Sequence, residues 1–447
     1  MSARVLGIEL RRSIAPLTAV VVLGLGVAVV QLMFREGPTF AQWTTFSGMQ
    51  RYSLEFLVPV ALGAGAWQGR RERRSGMSEL TSTVSRPAWQ RFLPVSGAMA
   101  IAVVAGYLVV LAVGAVQVVG NATYHHLGWL PIPLVGALAL VAASWLGLGI
   151  GTLLPSTLTA PVLTVGALMG LIALRVNGTG KEVLLGPELN GLVDTFTVPA
   201  PRVTIAQVIW FAAVAVAGIV LATAPGRRRL LAVLPIAAGL AVALPLIPAT
   251  QDTRYVADAA AAEPVCTSDA PRVCVTKAHA NALGDLTGPA RDALRLLAPL
   301  AAAPASVAES PRDKLLDRPV KPQPSDVDLI QLWSYDLDDQ SHPKKAGEEL
   351  TIELLRGAGT TQCDYLPSMA NGVELERYHR ARDARDLAAA MLVGKPLTTF
   401  GSLAKQEWPT LHALPADEQL RRVSAFRVAS LSCEGDLVDI LAHGGAR

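Results

Sequence analysis

Seven apolar runs in the first 250 residues are each long enough, or nearly so, to cross a bilayer, and this repetition constrains the fold more than any motif. A helix needs about 20 mostly apolar residues to span roughly 30 Å of hydrocarbon. The runs cover residues 14–33, 53–67, 93–116, 131–154, 158–174, 205–223 and 230–247. The second is short, and reaches spanning length only when extended back through Glu55 and Arg51 toward Met49. The seventh carries Pro235 and Pro245, which a membrane helix tolerates where neighbours satisfy the freed carbonyls. The first is too long, and too poor in small residues at its end, for a removable signal peptide, so it reads as a retained span. Ahead of it, Arg4, Arg11 and Arg12 mix with Val5, Leu6, Ile8 and Leu10. That mixture predicts a short amphipathic helix over 1–13, lying in the membrane interface.

Charge divides the chain in two. Residues 1–250 carry a net +9 and residues 251–447 a net −6. With 51% hydrophobic and 17% charged residues, the whole is too apolar for an ordinary soluble domain. The two halves read as a basic membrane domain over 14–249 and an acidic, water-soluble domain over 250–447. The pI near 8.7 averages over them and gives no reason to expect a nucleic-acid partner. If the N-terminus lies inside, twelve Lys/Arg fall in inner loops (1–13, 68–92, 155–157 and 224–229) and five in or near outer ones. The positive-inside bias therefore predicts a multi-pass protein of a plasma membrane with its C-terminal half outside. All four cysteines, Cys266, Cys274, Cys363 and Cys433, lie in that exported half. An even number there suggests two disulfides, preferably Cys266 with Cys274 and Cys363 with Cys433.

The inner hairpin over 69–91, "GRRERRSGMSELTSTVSRPAWQR", carries six arginines and no lysine between two spans. A short helix is expected over 78–84, capped by Ser75 or Ser78 and closed before Pro87. Within the hairpin, "ERRSGMSELTSTVSR" at 72–86 resembles the coupling-helix loop of bacterial ABC-transporter permeases of the type-two exporter class. Glu72, Gly76, Glu79, Leu80, Thr83, Ser85 and Arg86 sit where that pattern places them; Met77 and Val84 depart from it. The amphipathic helix before the first span belongs to the same plan. The resemblance covers about the first 225 residues, and departs from the usual six spans by a seventh that leads to the added C-terminal domain. It implies a permease subunit, bacterial in origin and paired as a homodimer or heterodimer. Glu72, Arg73, Arg74, Gly76, Glu79, Leu80 and Arg86 would then contact a separate cytosolic ABC ATP-binding subunit. ATP and magnesium would be bound by that partner, with no cofactor in this chain and an apolar or amphiphilic cargo.

Other motifs yield less. "NGTGKE" at 177–182 lacks the first glycine and the final Ser/Thr of a phosphate loop. Arg51 and Glu55, one turn apart in the second run, are expected to form an intramembrane pair. His125 and His126 beside Tyr124 and Trp129 read as part of an interfacial aromatic belt. Asp336, Asp338 and Asp339 lack the glycine and distal glutamate of a calcium loop. The C-terminal half patterns as α+β, with strands at Val273–Thr276 and 327–332 and helices over 279–303, 371–393, 416–431 and 435–442. No catalytic signature appears, so the chain is not expected to be an enzyme. The expected fold is a polytopic all-α membrane domain of about seven spans, N-terminus inside, followed by an extracytoplasmic α+β domain. A membrane sensor or scaffold whose outer domain binds a ligand is the alternative, and a surface enzyme with an unrecognised site a third.

Overall fold

A computed structural model of the protein describes residues 3–36, 42–74, 87–178, 180–189, 195–250, 253–309, 329–332, 338, 342–360 and 372–444. The chain forms two compact units, Met1–Asp258 and Ala259–Arg447.

The first unit is a helical bundle: α1 Ala3–Arg12, α2 Ala15–Glu36, α3 Trp43–Arg74, α4 Ala88–Val119, α5 Pro131–Leu153, α6 Thr159–Asn177, α7 Pro201–Thr223 and α8 Val233–Leu246. Six helical segments are long and apolar enough to cross a membrane: Ala15–Leu32, Phe92–Val119, Pro131–Leu153, Thr159–Asn177, Pro201–Thr223, and Gly226–Leu246, in which a 3-10 turn runs into α8. The expected run at 53–67 lies inside α3. At 32 residues this helix is about 48 Å long, ample for a span, but it is too polar to be one of the six. Its polar residues point inward: Gln50, Arg51, Ser53 and Glu55 are all 2% exposed or less.

Small residues bring the helices together. Gly65 and Gly69 of α3 face the carbonyls of Ser144 and Leu148 of α5, and Gly147 and Gly151 of α5 face those of Leu62 and Ala66. A methyl group at any of the four would land on the opposing backbone. Small-xxx-small pairs of this kind allow van der Waals packing where no hydrophobic force drives helices together. Gly218 of α7 meets Trp145 and Leu146 of α5 in the same way, so α3, α5 and α7 run parallel. By contrast α6 is peripheral, with only Ala160 buried.

In this arrangement the C-termini of α3, α5 and α7 lie with the N-termini of α2, α4 and α6 at one end of the bundle. At the other end, strand β1 Thr197–Pro199 pairs antiparallel with β2 Tyr255–Ala257, Val198 opposite Val256. This pairing ties residues 255–257 to the bundle, so the first unit ends after Asp258 and not at residue 249 as expected.

The second unit is α+β. Its mixed sheet has the order β3-β4-β5-β6: β3 Pro264–Cys266, β4 Val273–Thr276, β5 Ser306–Glu309 and β6 Leu329–Leu332. The first pair is antiparallel and the others parallel. Helix α9 Ala282–Leu297 is the crossover from β4 to β5, burying Leu286, Ala290, Leu294 and Leu297 against Val273, Val275 and Val307. Helices α10 Gly347–Leu355, α11 Gly372–Val393, α12 Ser402–His412, α13 Ala416–Ser432 and α14 Leu437–His443 complete the core. Cys266 and Cys274 are register partners across the β3–β4 hairpin and form a disulfide, as expected. Cys363, the expected partner of Cys433, lies outside the described residues.

Candidate functional site

Arginines gather at one end of the bundle. Arg70 and Arg71 lie near the end of α3, where the Arg70 guanidinium sits 5.0 Å from the Trp67 ring centre. The Arg71 guanidinium donates to the Arg12 carbonyl at 2.8 Å, and the Ile14 N–H donates to Gln68 Oε1 at 3.3 Å. These bonds fasten the junction of α1 and α2 to the end of α3. Helix α1 also lays Leu6 and Leu10 against Val95, Ala98 and Met99 of α4. It therefore bridges the two helices that flank residues 75–86. Arg11, Arg12, Arg227 and Arg228 are exposed.

Of the residues expected to contact an ATP-binding subunit, Glu72, Arg73 and Arg74 form the last turn of α3. Gly76, Glu79, Leu80 and Arg86, with the expected helix over 78–84, lie outside the described residues. Helix α3 runs seven residues past the apolar run ending at 67, and α4 starts five before the run opening at 93.

A second polar cluster lies toward the other end of the bundle, and it corrects one expectation. Arg51 and Glu55 do not pair. Arg51, 1% exposed, donates to the carbonyls of Pro187 at 2.5 Å and Ile132 at 3.0 Å and to Gln207 Oε1 at 3.0 Å. Glu55 accepts instead from Arg175 Nε of α6 at 3.1 Å. Helix-surface i,i+4 spacing permits a pair, but here both side chains enter the bundle and meet donors and acceptors from other elements.

One partner of Arg51, Pro187, belongs to a strap over residues 183–189. Four consecutive strap carbonyls are captured by bundle side chains. Leu184 accepts from Gln207 at 3.0 Å, Leu185 from Trp210 Nε1 at 2.9 Å, Gly186 from Gln207 at 3.4 Å and Pro187 from Arg51. Within the strap, Val183, Leu184 and Leu189 are buried. Glu188 then approaches Arg175 Nε at 3.5 Å. Sequence reading missed this strap, since its only signal was a short loop with two acids, Glu182 and Glu188.

The aromatic residues expected to form a belt lie together. Trp43 stacks on Trp129 with centroids 4.9 Å apart, and Tyr124 on His126 at 4.5 Å. His125 Nδ1 accepts from Trp43 Nε1 at 3.0 Å, and His126 lies 3.9 Å from Asp258. Among the described residues no group of three or more His, Cys, Asp or Glu is placed to hold a metal ion.

In the second unit, α11 and the start of α12 border a cleft of about 630 Å³ lined by Glu376, His379, Arg380, Asp383, Ser402 and Gln406 among others. Asp383 Oδ2 accepts from the N–H groups of Leu403 and Ala404, capping α12 from a neighbouring helix. Its Oδ1 is buried without a hydrogen-bond partner. Deeper in this unit, Glu309 Oε2 accepts from the Thr276 N–H at 2.8 Å and hydroxyl at 2.7 Å, while Oε1 meets His279 Nδ1. Burial alone would raise the Glu309 carboxyl, but His279 and Thr276 outweigh it and hold the group below the usual carboxylate range. Arg427, 0% exposed, donates to the carbonyls of Ala302 at 2.7 Å and Ala358 at 2.5 Å, two alanines held at positive φ.

These geometries supply a many-helix membrane-type bundle with a cationic end, and a second unit with a polar cleft. A scan of protein-family models and searches of curated proteins and of solved structures give no match to this chain.

Proposed function

We propose that the protein is the permease subunit of an ATP-driven, exporter-type complex in a bacterial plasma membrane, moving an apolar or amphiphilic cargo. Seven spans cross the membrane, with α3 as the second, and the arginine-rich end faces the cytosol. The hairpin over 69–91 docks a separate ABC ATP-binding subunit, which binds the ATP and magnesium, and the chain itself is not an enzyme. The bundle pairs with a second permease chain, and the unit Ala259–Arg447 stands outside the membrane.

The observation that carries this reading is the convergence of α1, α3 and α4 at the arginine-rich end. Helices α3 and α4, of 32 residues each, flank residues 75–86, and α1 braces both. Force applied to such a hairpin reaches the core directly, because α3 interlocks with α5 through four glycines and has no slack to absorb it. The test is affinity capture of the tagged chain from native membranes, comparing wild type with the double variant Glu72→Arg/Glu79→Arg. An ABC ATP-binding subunit retained by wild type and lost from the variant supports the reading. Its absence from wild type, under conditions that keep other such complexes together, removes it.

A sensor reading rests on a different observation, the cleft around Asp383 with its unpartnered buried oxygen. It predicts that a small polar ligand protects α11 and α12 from hydrogen exchange, whatever happens at the hairpin.

A further inference from the structure

The strap places two buried acids on one arginine. Glu55 Oε1 and Glu188 Oε1 lie 3.1 and 3.5 Å from the same Arg175 Nε, and the two side chains are 2% and 9% exposed. Three of the four carboxylate oxygens, Glu55 Oε2 and both oxygens of Glu188, have no hydrogen-bond partner. Buried carboxylates ordinarily collect donors, and a buried charge left unpaired is strongly disfavoured. One guanidinium cannot neutralise two carboxylates.

The other charged or titratable groups nearby do not make up the deficit. From α3 come Arg51, whose three nitrogens each donate to a neutral acceptor, on Pro187, Ile132 and Gln207, and Tyr52, whose ring lies 5.7 Å from the Arg175 guanidinium. Tyr107 and Tyr255 adjoin Arg51. Helix α7 offers the strap the neutral Gln207 and Trp210. Arg175, with 36% of its side chain exposed, is the way in from outside.

We infer that Glu55, Arg175 and Glu188 form an uptake site for one further positive charge, a proton or a small monovalent cation, whose binding holds the 183–189 strap on the bundle. With the charge in place, Arg175 serves Glu55 while the occupant satisfies Glu188. When it leaves, two carboxylates repel each other across one arginine, and Glu188 is driven out toward water. The four captured carbonyls precede Glu188 directly, so its departure loosens the strap at one end. Burial first, and repulsion from Glu55 second, push the Glu188 carboxyl up to about 7 against the pull of Arg175. A carboxyl raised above its ordinary 4.5 stabilises the folded state fully below that value, and the contribution is lost as pH rises through about 7.

The site is tested by thermal unfolding of the full-length chain in detergent from about pH 5 to about pH 8, in choline, sodium or potassium chloride at constant ionic strength. Glu188→Gln is compared with Glu182→Gln, an exposed acid of the same loop. A proton site gives a wild-type Tm that falls by several degrees across that range in all three salts, a fall kept in Glu182→Gln and absent in Glu188→Gln. A metal-cation site gives a Tm restored at the alkaline end by sodium or potassium but not by choline. If Glu188→Gln does not fold, the infrared carbonyl band of a protonated carboxylic acid is followed in wild type and Glu55→Gln. A band that disappears through about pH 7, or is displaced by sodium or potassium, upholds the site. The inference is overturned if wild type shows neither pH nor salt dependence, or keeps its pH dependence in Glu188→Gln, or shows no such band where the variant cannot fold.

Discussion

A guanidinium enclosed among helices must be given acceptors, and Arg51 has three: two backbone carbonyls and the Gln207 amide. Replacing it with methionine leaves those acceptors dry, and we expect a loss of about 2–5 kcal/mol, read as a lower Tm of the intact chain and faster hydrogen exchange in the strap. Glu309 is the corresponding residue of the second unit, and there the pH dependence has the opposite sign to that of Glu188. Its carboxyl is held below the ordinary value of 4.5, so its stabilisation is present above that pH and is lost as pH falls through the lower folded value. Glu309→Gln should flatten the acid limb of stability, measured by hydrogen exchange of the β4 and β5 amides between about pH 3 and about pH 6. The sequence marked neither partner set. Arg51 and Glu55 stood one turn apart and so looked like a pair, whereas their actual partners are 81 to 156 residues away for Arg51 and 120 for Glu55. Spacing along a helix reports who is near in the helix, and says nothing of what enters from the side.

Among the elements, α3 is the one on which hydropathy was least informative. Its apolar run, 53–67, is the shortest of the seven and reaches spanning length only back through Glu55 and Arg51, yet α3 is the helix most enclosed by the bundle, where polar residues meet protein and not lipid. Its glycines carry the packing. Gly65→Val should force α3 away from Ser144 of α5 and cost at least about 1–3 kcal/mol, giving a chain that aggregates or unfolds at lower temperature. Gly166→Val and Gly170→Val on α6 meet nothing within 4 Å and should leave the Tm of the bundle almost unchanged. Size-exclusion chromatography with scanning fluorimetry separates the two cases. Long, uniformly apolar or strongly amphipathic helices such as α4, α5 and α9 were legible from their patterns. The strands β3 and β5 were not: β3 is three residues opening on Pro264, and β5 holds one β-branched residue, where β4 holds two valines and a threonine. Helices α10 and α12 were also missed, being short and tucked between better signals.

For the molecule as a whole, the arginines and the cysteines make one joint statement. The basic residues of α1, α3 and the Gly226–Ala232 turn gather at one end of the bundle, and the Cys266–Cys274 bridge lies in the other unit. The orientation proposed from these features predicts that Cys266 and Cys274 resist alkylation in intact cells until a reductant is added. It also predicts that a protease added outside cells removes the second unit while leaving residues 75–86 intact. The central claim, that the hairpin is a dock for an ATP-binding subunit, is tested most directly by placing a photo-crosslinking amino acid at Leu80 in native membranes, with Gly178 as a control at the other end of the bundle. The account predicts a crosslink from position 80 to an ABC ATP-binding subunit, changed in yield by ATP with vanadate, and none from position 178. Crosslinks from position 80 to lipid alone, or to a partner that binds no nucleotide, would contradict it.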